Sequence, residues 1–292
     1  SDRHPRRETF RSFLVSRGGG VAARRFFWCG HFLQNTMTHP ATRLDYFLDT
    51  YQFTSTATVL EVIPGTEEQK GLVTVVLDQT IFHPQGGGQP SDVGTMKASS
   101  GAAFEVTKAS LDQAVGIVNH TGTFANDSTF SSGDKVDLEI NGVTRAHYAR
   151  LHSAGHLLDL ALVQSGYNFE PSKGYHFPNS PYVEYFGSIP VNERETCKNL
   201  VQQKMDELIA ADLPTRVRMV PYAQLEDVCF GSLPPNLPKG KPRRVISFGD
   251  FPGCMCGGTH VPSTKALKEC PITKLKKKGK AFRISYSIKA DS

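Results

Sequence analysis

The chain has 292 residues, enough for two domains, and its 39% apolar and 21% charged residues are typical of an ordinary soluble globular protein. No stretch approaches 18 consecutive apolar residues, which excludes a hydrophobic transmembrane helix and predicts no membrane partner. The formal net charge of +5 is compatible with a polyanionic partner such as nucleic acid. Six cysteines in a chain of this length, without a secretory signal pattern, predict reduced thiols, some of them on metal.

Residues 1–40 differ in composition from the rest, because they are rich in arginine and poor in acidic residues. Organelle-targeting peptides have this composition. The alternative is a disordered leader or translated upstream sequence, with Met37 as a second possible start. We expect a cytoplasmic protein, or a mitochondrial one if residues 1–40 act as a targeting peptide.

Residues 44–144 form the first predicted domain, a small β-barrel. Short β-branched or alternating runs are bounded by Gly, Asn, Asp or Ser, which is typical of short strands joined by close turns. The predicted strands cover residues 58–63, 72–77, 104–108, 115–119 and 135–140. A glycine-rich segment, His-Pro-Gln-Gly-Gly-Gly-Gln-Pro at residues 83–90, follows a short run at residues 78–81.

Residues 145–166 have the strongest helical pattern in the chain. Apolar residues recur at helical spacing and make a buried stripe, and Gly166 is a natural stop. His152 and His156 are four residues apart beside that stripe, so their Cβ atoms lie about 6 Å apart and both rings can reach one metal ion. Two ordinary buried histidines are the alternative interpretation of this pair alone.

A second pair of potential ligands has the same spacing and favours a metal site over two ordinary buried histidines. Cys256 and His260 lie in the glycine-rich segment Cys-Gly-Gly-Thr-His, about 100 residues after the first pair. Together, His152, His156, Cys256 and His260 make a complete donor set for tetrahedral zinc. A zinc protease of the HExxH type is excluded, because Ser153 stands where that motif has its glutamate.

Residues 145–292 form the second predicted domain. A second helix is expected to begin with a capping box at residues 192–195, and strands are expected at residues 182–188, 215–220 and 245–248. Residues 272–275 and 281–288 are expected to form a closing hairpin, with residues 276–279 as its turn. The fold class is therefore α+β: a small β-barrel domain followed by a two-layer α/β domain that contains zinc.

Three segments in this order resemble the alanyl-tRNA editing proteins. They are FHPQGGGQPSDVG, RLHSAGHLLDLAL and CMCGGTHVPST, and the resemblance extends from about residue 44 to the C-terminus. These proteins are free-standing relatives of the editing domain of alanyl-tRNA synthetase. The triple-glycine loop and the barrel are similar to the medium-length type. The editing domain of threonyl-tRNA synthetase is a poorer match, because the GGGQP loop and the CGGTH turn favour the alanyl family.

The resemblance implies a hydrolase that removes a wrong amino acid, chiefly serine and also glycine, from tRNA(Ala) while sparing alanine. Zn²⁺ has two candidate roles in it: lowering the pKa of a bound water, or holding the substrate. Four protein ligands are also the pattern of a closed structural site. The alternatives are therefore a non-catalytic tRNA-binding module with structural zinc, or a zinc hydrolase that acts on another small ester or amide.

The resemblance also implies roles for residues of the glycine-rich segment. Gly86, Gly87 and Gly88 are expected to lie against the metal pocket and bind the substrate, although a simple β-turn is the alternative. Thr80 and Gln89 are candidate catalytic residues, the Thr80 hydroxyl as a partner of the substrate hydroxyl, and Asp92 is a candidate substrate-binding residue. The alternative for Gln89 and Asp92 is that both orient the loop. Cys254 is either a competing ligand or a spare buried thiol.

Two basic clusters are candidates for binding RNA phosphates. One lies in a Pro-rich loop and the other near the C-terminus, where a solvated hairpin turn is the alternative interpretation. The candidate residues are Lys239, Lys241, Arg243, Arg244, Lys276, Lys277 and Lys278.

Overall fold

A closed six-stranded barrel forms the first half of the described chain. The computed structural model describes residues 39–289, apart from residues 70, 126, 232, 235 and 236, so the arginine-rich leader lies outside the described residues except for its last two. The barrel order is β2-β3-β7-β6-β5-β8, and a separate short pair joins β1 and β4 in parallel. The strands are β1 (Arg43–Leu44), β2 (Thr54–Pro64), β3 (Val73–Leu77), β4 (Gln79–Thr80), β5 (Gly94–Ala98), β6 (Ala103–Asp112), β7 (Ile117–Phe124) and β8 (Lys135–Ile140).

Side-chain alternation explains why this half closes into a barrel. In β8 every second side chain is buried, and Val136, Leu138 and Ile140 point into a core shared with all the other barrel strands. The predicted barrel is confirmed. The prediction omitted β5. Met96 is its only buried side chain, and a single buried residue gives no alternation of apolar and polar positions from which a strand could be predicted.

The second half has its own hydrophobic core between helices and an antiparallel sheet. One sheet has the order β14-β15-β10-β9 and another has the order β11-β12-β13. The predicted α+β class is confirmed. The elements are α1 (Gly142–Gln164), β9 (Pro171–Tyr175), β10 (Tyr182–Phe186), α2 (Arg194–Ala210), β11 (Thr215–Val220), α3 (Leu225–Val228), β12 (Arg243–Phe248), β13 (Cys254–Met255), β14 (Ile272–Lys278) and β15 (Ala281–Tyr286).

Helix α1 is the predicted histidine helix, and it begins three residues earlier than expected. The Asn141 side chain caps it by accepting a hydrogen bond from the Thr144 backbone N–H at 2.9 Å. The expected apolar stripe is buried against the sheet and against α2. Among the described helices, none is both long and apolar enough to cross a membrane.

Two local predictions in this half were wrong. The capping box is absent from the described start of α2, because a 3₁₀ turn, Val191–Glu193, precedes the helix and no side chain caps it. Residues 276–278 are not a turn, because they continue β14 and pair with β15. Backbone pairing with β15 overrides the weak strand propensity of consecutive lysines.

A buried ion pair fixes the glycine-rich segment against α1. Arg145 is fully buried, and its Nε lies 3.0 Å from both carboxylate oxygens of Asp92, which also accepts a hydrogen bond from the His83 backbone N–H at 2.6 Å. The Arg145 guanidinium also donates to the carbonyls of Thr50 and Ile81. Removing one partner would leave an unpaired buried charge, at a cost of about 3–5 kcal/mol.

Candidate metal centre

Four potential metal donors converge from two parts of the second half. His152 and His156 lie one turn apart on α1, and Cys256 and His260 follow β13. One donor atom from each residue lies within 4.8 Å of the donors of the other three. The helix supplies the first pair through its i, i+4 geometry, and the glycine-rich turn brings the second pair against it.

The hydrogen-bond network fixes which nitrogen of His152 is free. The Thr259 backbone N–H donates to Gln89 Oε1 at 3.1 Å, which identifies that atom as the amide oxygen. Nδ1 of His152 lies 2.7 Å from the same oxygen, so Nδ1 must carry a proton and donate it. Nε2 therefore carries the lone pair, and it lies 3.4 Å from Cys256 Sγ.

The other two imidazoles are held in the same way. Ser153 Oγ accepts from the Val261 backbone N–H at 3.0 Å and lies 3.1 Å from Nδ1 of His260, whose Nε2 is 3.3 Å from Cys256 Sγ. Nδ1 of His156 lies 3.1 Å from Cys254 Sγ. All three rings thus have Nδ1 against a protein partner. Such partners orient metal-binding histidines.

The donor set matches the chemistry of zinc. Burial lowers the pKa of His156 to about 4, and it lowers the pKa of His152 and His260 well below the usual histidine range, so all three rings are neutral near pH 7. Burial raises the pKa of the Cys256 thiol, while the Gly258 backbone N–H and the Arg244 guanidinium lower it. Imidazole nitrogen and cysteine sulfur are the donor types that zinc prefers, and four of them suit its tetrahedral geometry.

The glycine-rich segment turns tightly beside this centre. Gly86 and Gln89 exchange two backbone hydrogen bonds, and positive φ at Gly87 and Gly88 between them is typical of a type I′ turn. A Cβ on Gly88 would lie 2.4 Å from the Gly174 carbonyl oxygen, so glycine is required there for close approach. The turn is therefore packed against β9, and it also aims Gln89 at His152.

A cavity of about 370 Å³ opens onto the centre, and its wall contains a residue that the sequence analysis missed. His176 stacks on His152 with ring centroids 4.6 Å apart. The Tyr286 hydroxyl donates to the Leu151 carbonyl at 2.8 Å, so it accepts from Nδ1 of His176 at 2.6 Å. Nε2 of His176 is therefore an acceptor, and burial lowers the pKa of His176 to about 3. It lies outside the HxxxH and CxxxH spacings, so no motif indicated it.

Comparison with known proteins agrees with this architecture. A family model for class II (A) tRNA synthetases matches residues 34–143, and a model for the second additional domain of threonyl and alanyl tRNA synthetases matches residues 244–283. The alanyl-tRNA editing protein AlaX-M of Methanosarcina barkeri is 30% identical over 253 residues, which cover 84% of this chain and 98% of that protein. The chain belongs to the alanyl-tRNA editing protein family.

The family contains longer members as well. The alanyl-tRNA editing protein AlaX-L of Pyrococcus horikoshii is 28% identical over 244 residues, which cover 83% of this chain but only 57% of that protein. An alanine–tRNA ligase of Streptomyces avermitilis is 32% identical over 204 residues, 67% of this chain and 22% of the ligase. The chain thus matches nearly the full length of the AlaX-M relative and just over half of the AlaX-L relative.

Thr80 and Asp92 do not lie at the metal centre of this family member. The Thr80 hydroxyl is buried in the barrel, 2.8 Å from Nε2 of His120, and it accepts from the Phe82 backbone N–H at 3.1 Å. Nδ1 of His120 is 3.0 Å from the Val75 carbonyl, so Nδ1 carries the proton and Nε2 is an acceptor. The Thr80 hydroxyl therefore donates its proton to Nε2 of His120. We therefore reassign Thr80 to barrel packing and Asp92 to the ion pair with Arg145.

The basic candidates separate into buried and exposed groups. Arg244 is buried, lies 4.9 Å over the Phe47 ring, and donates to the carbonyls of Cys256 and Gly258. It therefore supports the turn that carries Cys256 and His260, and we remove it from the set of candidate RNA contacts. Arg243 is half-buried and donates to the Pro238 carbonyl. The exposed candidates are Lys239, Lys241, Lys276, Lys277 and Lys278.

Proposed function

We propose that this chain hydrolyses the ester bond that joins a wrong amino acid to the 3′ end of tRNA(Ala). Serine is the chief substrate, glycine is a second one, and alanine is spared. The family membership supports this activity, because the AlaX-L and AlaX-M relatives are alanyl-tRNA editing proteins. A second hydrolytic site is useful because a synthetic site for a small amino acid discriminates poorly against close analogues.

The observation that carries the proposal is the donor cluster at the end of a cavity. His152, His156, Cys256 and His260 would hold Zn²⁺ there. When bound, the zinc would supply Lewis acidity next to the ester. The chain itself contributes the fixed orientation of each ring, since Gln89, Ser153 and Cys254 each occupy one Nδ1. Gln89 is thus proposed as a positioning residue.

Selectivity for serine requires a hydrogen-bond acceptor in the cavity wall. Serine differs from alanine by one hydroxyl, and a site built to bond that hydroxyl can reject the analogue that lacks it by a factor of roughly 10⁴. Nε2 of His176 is such an acceptor, and Tyr286 fixes its ring. We assign it to the serine hydroxyl, in place of Thr80.

The two halves have separate tasks in this proposal. The barrel at residues 44–144 supplies the glycine turn and Gln89, and residues 145–292 supply the metal ligands and His176. Gly87 lines the cavity beside His152, which makes the turn a wall of the substrate site. The hydrogen bond from the His176 backbone N–H to the Gly88 carbonyl, at 2.8 Å, joins the two parts.

The proposal is tested by incubating the protein with Ser-tRNA(Ala) and Ala-tRNA(Ala) in parallel and measuring the loss of the attached amino acid. We expect rapid loss of serine and retention of alanine. Loss of neither, with tRNA still bound, would favour the non-catalytic module with structural zinc, for which four protein ligands are the usual pattern.

The role of His176 is tested by His176→Phe, which keeps a planar ring and removes the acceptor. Hydrolysis of Ser-tRNA(Ala) is expected to fall about 100-fold, while hydrolysis of Gly-tRNA(Ala), which has no side-chain hydroxyl, is expected to stay within a few-fold of the wild type. Equal losses on both substrates would show that His176 acts on a step common to both substrates and not on the serine hydroxyl.

A further inference from the structure

The outer face of the four-stranded sheet carries a row of stacked planar groups. Phe177 stacks on Tyr175 with centroids 4.7 Å apart and planes at 16°, and Tyr175 stacks on Tyr182 at 5.3 Å and 18°. The Arg283 guanidinium continues the row 4.1 Å from the Tyr182 ring. All four side chains are partly exposed, unlike the residues on the inner face of the same strands. We call these four residues the stacking row.

The same face is cationic. Strand register places Lys274 opposite Ser285 and Lys276 opposite Arg283. Both lysines are exposed, and they border an open groove of about 670 Å³ beside the stacking row. Among the described residues that line this groove, three are cationic and none is acidic. Glu184, on the adjacent strand, is paired with Arg283 at 2.7 Å. A face of this charge is complementary to a polyanion.

Strand β9 connects this face to the metal centre. It is the edge strand of its sheet, and side chains alternate between the two sides of a strand. Tyr175 and Phe177 therefore belong to the stacking row, while His176 between them stacks on His152. Gly174 and His176 line the cavity. The edge strand β9 therefore lies between the stacking row and the cavity that contains the donor cluster.

We propose that the stacking row, with Lys274 and Lys276, binds the unpaired 3′ nucleotides of the tRNA while the esterified terminus enters the cavity. This inference rests on the proposed function, because that function places the 3′ terminus at the metal centre. Aromatic faces beside cationic side chains are the combination that binds single-stranded nucleic acid, since bases stack on the rings and phosphates pair with the cations. The sequence predicted phosphate contacts from lysines and arginines of both basic clusters, Lys276–Lys278 among them, and it indicated no aromatic residue.

Charge reversal tests the cationic part of the surface. The variant Lys274→Glu/Lys276→Glu is expected to bind uncharged tRNA(Ala) about tenfold more weakly, and the slope of log K against log salt is expected to fall by about 1.4 for two lost phosphate contacts. The matched control is Lys108→Glu/Lys265→Glu, which changes two exposed lysines on a barrel strand and on the helix side of the sheet. Equal weakening in both variants would overturn the assignment to this face.

Phe177→Ala tests stacking separately from charge. It is expected to weaken binding about tenfold with an unchanged salt slope, whereas Phe177→Trp keeps a planar ring and binds as the wild type does. With tRNA(Ala) trimmed of its unpaired 3′ nucleotides, Phe177→Ala should have no further effect, because the partner of the ring is already gone. The same tenfold loss on trimmed RNA would overturn the assignment to the 3′ end.

These binding measurements are independent of hydrolysis. If the wild type deacylates Ser-tRNA(Ala) but the face variants bind like the control, the inference fails and the proposed function stands. If the face variants lose binding while the wild type shows no deacylation, the proposed function fails and only the assignment of RNA binding to this face stands. A further outcome is that the wild type binds polyglutamate in place of RNA and that Lys274→Glu/Lys276→Glu loses this binding. This result would assign the face to an acidic protein and overturn the proposal.

Discussion

Replacing Cys256 by alanine is expected to remove zinc and deacylation together. Cys256 is the only sulfur in the described donor set, and its Sγ lies within 3.4 Å of Nε2 of both His152 and His260. Removing a residue that hydrogen-bonds to a metal ligand usually lowers metal affinity or activity by about 10–100-fold. Removing the ligand itself should therefore lower both by more than about 100-fold. Metal content and single-turnover hydrolysis of Ser-tRNA(Ala) are the measurements, and His152→Ala should behave in the same way.

Cys254→Ala is the matched control for this variant. It removes a thiol two residues away that contacts Nδ1 of His156 and does not belong to the donor set. We expect it to keep one bound zinc with an affinity reduced by about tenfold or less, because one weak Nδ1 partner is lost. If Cys254→Ala lost zinc and Cys256→Ala kept it, the two cysteines would have to exchange roles.

Gln89→Leu is expected to lower zinc affinity by about 10–100-fold without removing any ligand. Leucine is similar in size but offers neither the acceptor for Nδ1 of His152 nor the amide that bonds the Thr259 hydroxyl at 2.9 Å. The His152 ring then loses its fixed tautomer and orientation. Zinc affinity by competition with a chelating dye, together with the hydrolysis rate at saturating zinc, measures the effect.

Gln89→Glu separates this positioning role from direct catalysis. A carboxylate still accepts from Nδ1 of His152 and from the Thr259 backbone N–H, so zinc affinity should stay within a few-fold of the wild type. The Thr259 hydroxyl can rotate and donate to the new oxygen. Loss of hydrolysis in Gln89→Glu with zinc fully retained would contradict a role limited to orienting His152.

The cluster of four potential metal donors could be predicted because the spacing within each pair is local. His152 and His156 are one helical turn apart, and Cys256 and His260 lie within one short turn, so each pair is defined before any tertiary structure exists. The two pairs could be assigned to one site because together they supply the four donors of a tetrahedral zinc site. The helix itself was predictable for the same reason, since its apolar stripe extends over several turns.

The partners around the ligands could not be predicted from spacing. Gln89 contacts His152, which is 63 residues away in the sequence, and Thr259, which is 170 residues away. His176 and Tyr286 are in contact although 110 residues separate them in the sequence. These contacts exist only because the barrel packs its glycine turn against α1 and β9. Thr80 is a further example: its place before the glycine turn predicts a side chain in the pocket, whereas in the structure its hydroxyl lies 2.8 Å from Nε2 of His120 inside the barrel.

Strand β9 and the stacking row were missed for a related reason. Residues 171–175 contain proline, serine, lysine and glycine, which have low strand propensity, and the strand forms because β10 pairs with it. The aromatic residues of the row come from two strands, β9 and β10, and from the loop between them, and Arg283 comes from β15. Only the register of the sheet brings them into one line.

The central claim is that the four-residue centre binds zinc and that the bound zinc is required for selective deacylation. The most direct measurement is the rate of Ser-tRNA(Ala) hydrolysis by protein stripped of metal with a chelator, as zinc is added back in known equivalents. We predict a rate near the uncatalysed value without metal, a linear rise to one equivalent per chain, and no hydrolysis of Ala-tRNA(Ala) at any point. Full hydrolysis of Ser-tRNA(Ala) by protein that elemental analysis shows to be metal-free would contradict the account.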